Sequence, residues 1–199
     1  MDENDVEVLE RQVVHGGHCK VVEYRLRHRR FDGGQSPVLS REVVDRGPVV
    51  AVLPVDVRRD ELVLIEQFRA GAFAAGCPPW QLECVAGFIE PGETPDDVAR
   101  RETMEECGRV VGRLKPIASY LSSPGGSAET VALYCAEIDT ADAGGLHGLA
   151  EEGEDIKVHV YSVAGALELL ARGHISNAKT FIALQWLAMH HDTLKSEWS

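Results

Sequence analysis

The sequence has few cysteines, few basic residues and no long apolar run, and each shortage argues against a class of protein. No apolar stretch approaches the roughly 18 residues that would suggest a membrane span, so we do not expect a membrane protein. The five cysteines are scattered and form no CxxC pair, which argues against a disulfide framework and a zinc site. Lys and Arg number 20 against 32 Asp and Glu, and the net charge of -12 repels nucleic acid.

The amino terminus also lacks the features of a secretory signal. It reads MDENDVEVLERQ, with neither a positive segment nor an apolar one, and we therefore expect a cytoplasmic protein. With 199 residues, of which 44% are hydrophobic, the chain is long enough for one or two domains that bury about 70% of the unfolded surface.

The chain contains two regions that differ in their pattern of polar and apolar residues. Alternating polar and apolar residues between Val13 and Val44 predict a small antiparallel sheet, and short β-branched runs begin at Pro48. We therefore predict an N-terminal sheet domain over 1–46 and a second domain over 47–199. The second domain mixes strands with few helices, so the predicted fold class is α+β.

Further elements follow from local patterns in the second domain. VVAVLPVDV and ELVLIEQF flank a turn and predict a hairpin. Apolar spacing and capping residues predict a helix from Ser162 to Gly173 and another from Ser176 or Asn177 to about His191. Other strand candidates are QLECVAGFI, the region around IASYL, ETVALYCAEI and IKVHVYSV.

An acidic helix is the most informative predicted element. Thr94 suits the N-cap, Pro95 the first helical position, Asp97 the capping box and Gly108 the C-terminal stop. Between these ends, Ala99, Thr103, Met104 and Cys107 form a less polar face.

Three carboxylates share the opposite side of that helix. Glu102, Glu105 and Glu106 fall within about 100° of arc, and the last two lie where the helix dipole disfavours negative charge. A divalent cation bound to phosphate would offset this repulsion, and Arg101 could orient Glu105 four residues later. The alternative from spacing alone is a solvated acidic face.

A longer array extends this pattern. The segment from Gly87 to Gly108 resembles the Nudix box: Gly87 is followed after five residues by Glu93, and after seven more by RETMEECG, which begins at Arg101. Arg109 departs from the pattern, which usually has an aliphatic residue at this position. The resemblance covers nearly the whole chain and is closest to the bacterial ADP-ribose pyrophosphatase branch. It is carried by REVVDRG, LIEQFR, PWQLECVAGFIEPGE, SPGGSAE, GLHGLAEEGEDIKVHV and NAKTFIALQWLAMHH.

The resemblance implies a fold, an assembly and a reaction. The fold would be a Nudix αβα sandwich with the small N-terminal antiparallel domain exchanged between the subunits of a homodimer. The implied reaction is hydrolysis of ADP-ribose to AMP and ribose 5-phosphate. The implied partner is a small nucleotide-sugar substrate, with neither nucleic acid nor membrane involved.

The resemblance also implies a metal-dependent catalytic site. The cofactor would be Mg²⁺, with Mn²⁺ as a substitute and more than one ion per site. Its ligands would be the carbonyl of Ala86 with Glu102, Glu106 and Glu154. The catalytic set would be Glu152 as general base, supported by Glu105 and Arg101. Because a one-residue shift in this acidic loop would exchange them, Glu151 stays an alternative base to Glu152.

Substrate contacts follow from the same resemblance. Arg69 matches a diphosphate-binding arginine, and Arg41 and Glu129 match residues that reach the nucleotide from the partner subunit. Without the resemblance, each would be interpreted as a member of a surface ion pair. The remaining implied contacts are Gly87, Phe88 and His18. His18 stands where close relatives often carry an aromatic residue that stacks on adenine, so we expect a weaker stacking contact with the base here.

Two alternatives to ADP-ribose hydrolysis stay open. One is a broader nucleoside diphosphate sugar hydrolase, which a panel of substrates would distinguish. The other is a non-catalytic sensor that binds ADP-ribose without cleaving it. The intact Glu102, Glu105, Glu106 and Glu152 argue against the sensor.

Overall fold

The computed structural model describes residues 1–17 and 19–198, with the backbone alone described at Glu152. The chain divides into two compact units. One consists of Met1–Pro48 with Tyr120–Thr130, and the other consists of Val49–Ser119 with the chain from Val131 onward. The assignment of 1–46 as a dimerisation domain stays a prediction.

The first unit contains a three-stranded antiparallel sheet after a short 3-10 helix. The bounds are Glu3–Asp5 for the 3-10 helix, Val6–Gly16 for β1, Lys20–His28 for β2 and Leu39–Asp45 for β3. The strand order is β1-β2-β3, and β1 begins before Val13, where the sequence pattern predicts the sheet to start. Every side chain of β1 is exposed, whereas Val22 on the central strand is buried.

The second unit is built on a mixed eight-stranded sheet. The strands are β4 (Val49–Asp56), β5 (Glu61–Phe68), β6 (Trp80–Glu83), β7 (Val85–Phe88), β8 (Leu114–Leu121), β9 (Thr130–Glu137), β10 (Gly145–His147) and β11 (Ile156–Ser162). The main path of the sheet is β10-β11-β5-β4-β9-β8, with β6 paired to β5 and β7 paired to β4. Strands β4 and β9 are parallel, and β5 and β7 pair antiparallel with β4. The helices are α1 (Ala70–Ala74), α2 (Pro95–Cys107), the 3-10 helix Ala150–Glu152, α3 (Val163–Ala171) and α4 (Ala178–Trp198).

Helices cover both faces of this sheet. All eight side chains of β4 are buried, as expected for a strand packed on both sides. Val50 and Val52 share a core cluster with Val98 and Ala99 of α2. The alternate residues of β4 point to the opposite face, where α4 contacts the strand. This αβα layering, together with the N-terminal antiparallel sheet, confirms the predicted α+β fold class.

The helix ends follow the local signals closely. Helix α2 has the predicted cap, capping box and left-handed Gly108, and α3 begins after the predicted N-cap Ser162. Helix α4 continues beyond His191 to Trp198, and α1 was not predicted. In the described residues, no helix has the length and apolar character to span a membrane.

Candidate active site

In helix α2, a glutamate is buried against the sheet and a methionine is exposed. Its buried residues are Val98, Ala99, Thr103, Glu106 and Cys107, and Met104 is 45% exposed. The sequence pattern had placed Met104 on the less polar face. Burying a carboxylate while a thioether stays exposed is costly unless the charge is compensated, so Glu106 is a candidate functional residue.

The surroundings of Glu106 provide little compensation. The carboxylate is 2% exposed and accepts one hydrogen bond of 2.9 Å, from the backbone N–H of Ala86 on β7. Burial raises the pKa of Glu106 well above its usual value, and the charges of Glu102 and Glu154 raise it further. The hydrogen bond from Ala86 and the charge of Arg69 oppose this increase in pKa. Among the described residues, no cation pairs directly with Glu106.

Glu102 packs against Gly87, which lies on the same strand as Ala86. A Cβ atom placed on Gly87 would lie 1.7 Å from Oε1 of Glu102, so only glycine leaves room for this carboxylate. Burial raises the pKa of Glu102, and the Arg101 guanidinium opposes that increase. Gly87 and Ala86 thus bring β7 into contact with two acidic residues of α2.

Arg101 joins the acidic residues of the helix to the loop before it. Its Nη1 donates to Oε1 of Glu102 at 2.7 Å and to Oε2 of Glu105 at 3.0 Å. Its Nε and Nη2 bind Glu93 at 2.8 and 3.1 Å. The predicted charge-assisted contact between Arg101 and Glu105 is therefore present, and Phe88 contributes its carbonyl at 3.4 Å.

The loop before β11 brings a further carboxylate to this cluster. Oε2 of Glu154 accepts from the N–H of Leu149 at 3.0 Å, and the N–H of Gly148 donates to the carbonyl of Glu105 at 3.4 Å. The negative charge of Glu154 affects both Glu102 and Glu106. Glu151 is exposed, and the side chain of Glu152 lies outside the described residues.

Arg69 lies beside the same cluster at the end of β5. Its Nε and Nη2 both donate to Oε2 of Glu83, at 2.9 and 2.6 Å. Burial lowers the pKa of Arg69, but Glu83, Glu106 and Glu154 outweigh that effect and raise it. Arg69 therefore pairs with the buried Glu83 and interacts with the charges of the acidic cluster, while 38% of its own side chain is exposed.

The donor set suits a hard divalent cation. Glu102, Glu106 and Glu154 offer carboxylate oxygens, and oxygen ligands are those that Mg²⁺ and Mn²⁺ prefer. The buried carboxylate of Glu106, which forms no direct ion pair with a described residue, fits a cation that would offset the cost of burial. As they stand, the described residues hold no ready-made group of three or more metal-ligating side chains, and Arg101 occupies an oxygen of Glu102.

Two other predicted residues, Arg41 and Glu129, belong to the first unit. Arg41 is exposed and donates to the carbonyl of Ser40 at 2.7 Å. Glu129 is 8% exposed and lies 3.7 Å from Nη1 of Arg46. His18 lies outside the described residues, so its predicted stacking role has no structural description.

Comparison with known families identifies the domain. The NUDIX domain family matches residues 45–185. The chain belongs to the Nudix family. The Nudix box proposed from the sequence is thus the segment that forms β7, the following loop and α2, and its family assignment is confirmed.

Named relatives of this Nudix protein extend over nearly its full length. An ADP-ribose pyrophosphatase of Escherichia coli strain K12 is 48% identical over 98% of this chain and 94% of its own. An ADP-ribose pyrophosphatase of Haemophilus influenzae is 41% identical over 98% of this chain and 92% of its own. A crystal structure described as an ADP compounds hydrolase shares the fold, with a TM-score of 0.71 at 21% identity, covering 98% of this chain and 96% of the other.

Two residues of this Nudix site were not predicted from the sequence. Glu83 is 2% exposed and binds Arg69, and Nδ2 of Asn177 donates to its other oxygen at 2.8 Å. The sequence offers one signal for Glu83, a glutamate within the largely apolar strand pattern QLECVAGFI. For Asn177 the sequence predicts only a helix start, because its partner Glu83 is 94 positions away.

Proposed function

We propose that this Nudix protein hydrolyses the diphosphate of ADP-ribose to AMP and ribose 5-phosphate. The observation that carries the proposal is the buried Glu106, which has no direct cationic partner among the described residues and whose pKa is raised by burial and by the charges of Glu102 and Glu154. The substrate is proposed from the ADP-ribose pyrophosphatases that are 48% and 41% identical over 98% of the chain.

In this proposal, Mg²⁺ would be held by Glu102, Glu106, Glu154 and the carbonyl of Ala86, with Mn²⁺ as a substitute and more than one ion per site. When bound, such cations would neutralise the diphosphate and lower the pKa of a water molecule. Arg101 holds Glu102 and Glu105 in place through the two hydrogen bonds of its Nη1.

The protein's own groups then bind the substrate and move one proton. Arg69 donates hydrogen bonds to the diphosphate, and Gly87 and Phe88 line the adjoining strand end. Glu152, or Glu151 as the alternative, accepts a proton from water. The water oxygen bonds to one phosphorus, the bond from that phosphorus to the bridging oxygen breaks, and the bridging oxygen leaves with the other phosphate.

A broader nucleotide-sugar hydrolase is the second candidate. A GDP-mannose pyrophosphatase of Escherichia coli O1:K1 is 34% identical over 76% of this chain. The intact acidic cluster makes a non-catalytic sensor the weaker alternative.

A substrate panel separates these candidates. ADP-ribose, ADP-glucose, GDP-mannose, UDP-glucose and NADH are each incubated with the protein in Mg²⁺ and in EDTA, and phosphatase-coupled release of phosphate is measured. We expect selective cleavage of ADP-ribose that EDTA abolishes. Similar rates with several bases would favour the broad hydrolase, and tight binding without any cleavage would favour the sensor.

We also propose a homodimer that uses the first unit. The support is the apolar surface of β1, where Val6, Val8, Leu9, Val13 and Val14 are 42% to 54% exposed. Light scattering coupled to gel filtration tests this assembly, and a monomeric mass would contradict it. The nucleotide contacts of Arg41, Glu129 and His18, and the cytoplasmic location, stay predictions.

A further inference from the structure

Both carboxylate oxygens of the buried Glu83 accept hydrogen bonds. Oε2 accepts two hydrogen bonds from Arg69, at 2.9 and 2.6 Å, and Oε1 accepts one from Nδ2 of Asn177 at 2.8 Å. With 2% exposure, this carboxylate has lost its water, so its partners must be held firmly for the burial to be tolerated.

The start of α4 supplies that support. Oδ1 of Asn177 accepts from the backbone N–H of Thr180 at 3.2 Å, which fixes the amide as a helix cap. Oγ1 of Thr180 accepts from the N–H of Cys84 at 2.8 Å, next to Glu83 in the chain. The helix therefore fixes both the strand that carries Glu83 and the amide that binds its carboxylate.

Arg69 has other carboxylates to which it could turn. The negative charges that act on it include those of Glu106 and Glu154 as well as that of Glu83. Glu106 lies close to the strand segment that carries Glu83, because it accepts a hydrogen bond of 2.9 Å from the N–H of Ala86, three residues further along the chain. The charge of Arg69 already lowers the pKa of Glu106 without a direct ion pair. A guanidinium released from Glu83 would gain a strong charge-assisted pair with such a carboxylate. It would then occupy oxygens that a divalent cation needs.

We propose that Glu83, held by Asn177, is a positioning residue that keeps the Arg69 guanidinium off the carboxylates that bind metal. The inference rests on the proposed function only in taking Glu106 and Glu154 as metal ligands. It assigns a role to a buried ion pair that lies beyond the Nudix box.

Metal binding without substrate tests the inference. Electron paramagnetic resonance titration of the full chain measures the affinity for Mn²⁺ in the wild type and in Glu83→Gln. We expect Mn²⁺ to bind about tenfold more weakly in the variant, because groups that orient a metal site typically contribute about 10- to 100-fold to affinity. Circular dichroism and thermal melting confirm that the variant is folded.

A second variant separates the hydrogen bond from the Asn177 amide to Glu83 from the contribution of Asn177 to helix stability. Asn177→Ser retains a good helix cap but loses the donor to Glu83, so we expect a smaller decrease in Mn²⁺ affinity at little cost in stability. Unchanged affinity in both variants would overturn the proposal, as would a wild type that binds no Mn²⁺.

The double variant distinguishes positioning from mere packing. If Glu83 acts by restraining Arg69, then Arg69→Met added to Glu83→Gln removes the competing cation and restores Mn²⁺ affinity. A double variant that binds Mn²⁺ as weakly as Glu83→Gln would overturn the proposal. Recovered Mn²⁺ binding in the double variant, together with a wild type that binds Mn²⁺ but does not cleave ADP-ribose, would support the inference while contradicting the proposed function.

Discussion

Gly87 controls where the carboxylate of Glu102 can lie. A Cβ atom at this position would lie 1.7 Å from Oε1 and 2.0 Å from Cδ of Glu102. The flexible side chain of Glu102 would move away, so we expect Gly87→Ala to weaken Mg²⁺ binding at least about tenfold while changing the free energy of unfolding little. Isothermal titration with Mg²⁺ and urea denaturation measure the two effects.

A second glycine serves as the control for this substitution. Gly71 lies in α1, and a Cβ atom there would meet no atom within 4 Å. Gly71→Ala should leave Mg²⁺ affinity unchanged. Wild-type affinity in Gly87→Ala would show that Glu102 does not need its present position to bind metal.

The acidic loop offers two adjacent candidates for the general base. We expect Glu152→Gln to lower kcat about 10²- to 10⁴-fold with little change in KM, because a base acts mainly in the transition state. Glu151→Gln is the matched control and should keep wild-type kcat. Steady-state kinetics across a range of pH measures both variants. The reverse result would assign the base to Glu151, and unchanged kcat in both would contradict a glutamate base at either position.

At the scale of elements, α2 depends on its capping box. Oγ1 of Thr94 accepts from the N–H of Asp97 at 3.3 Å, and Oδ2 of Asp97 accepts from the N–H of Thr94 at 3.1 Å. We expect Thr94→Ala to lower the free energy of unfolding by about 1 kcal/mol, because the first turn loses a partner for its N–H groups. Urea denaturation measures this change.

Thr94→Ser keeps the hydroxyl and is the conservative control. It should unfold within a few tenths of a kcal/mol of the wild type, since serine caps helices as well as threonine does. Equal stability of the alanine and serine variants would mean that this cap contributes nothing to the stability of α2.

The elements also show what sequence patterns can predict. The ends of α2 were predictable because Thr94, Pro95 and Gly108 act locally. The inward position of Glu106 and the exposure of Met104 were not, because they depend on how the helix packs on β7. The length of α4 was underestimated because its later turns pack through Leu194 and Trp198, which lie beyond the apolar stretch used for the prediction.

The same distinction applies to the candidate site. A fixed array in the sequence identified Glu102, Glu105 and Glu106 as a group. The pairing of Glu83 with Asn177 joins positions 94 residues apart, and no local pattern encodes such a contact.

At the scale of the whole molecule, Asp56 joins distant parts of the second unit. It is 2% exposed, and its Oδ2 binds Nη1 of Arg59 at 2.7 Å and the N–H of Thr140 at 3.0 Å, 84 positions away. Burial raises the pKa of Asp56, but the hydrogen bonds from Thr140 and Arg59 outweigh it and lower the pKa from 3.8 to about 2.

This low pKa predicts a loss of stability in acid. Because the folded state holds Asp56 ionised more strongly than the unfolded state does, its contribution is complete above the ordinary pKa of 3.8 and is lost as the pH falls towards about 2. We expect the wild type to lose about 2 kcal/mol more than Asp56→Asn between about pH 6 and pH 2. Denaturant melts of both proteins across this range measure the difference, and parallel losses would contradict the low pKa.

The central claim is that the protein cleaves the diphosphate of ADP-ribose with a divalent cation. Phosphorus NMR of ADP-ribose incubated with the protein observes this bond directly. With Mg²⁺ we expect the diphosphate signals to be replaced by two phosphomonoester signals that match AMP and ribose 5-phosphate, and with EDTA we expect no change. Diphosphate signals that persist in Mg²⁺, or that disappear equally in EDTA, would contradict the account.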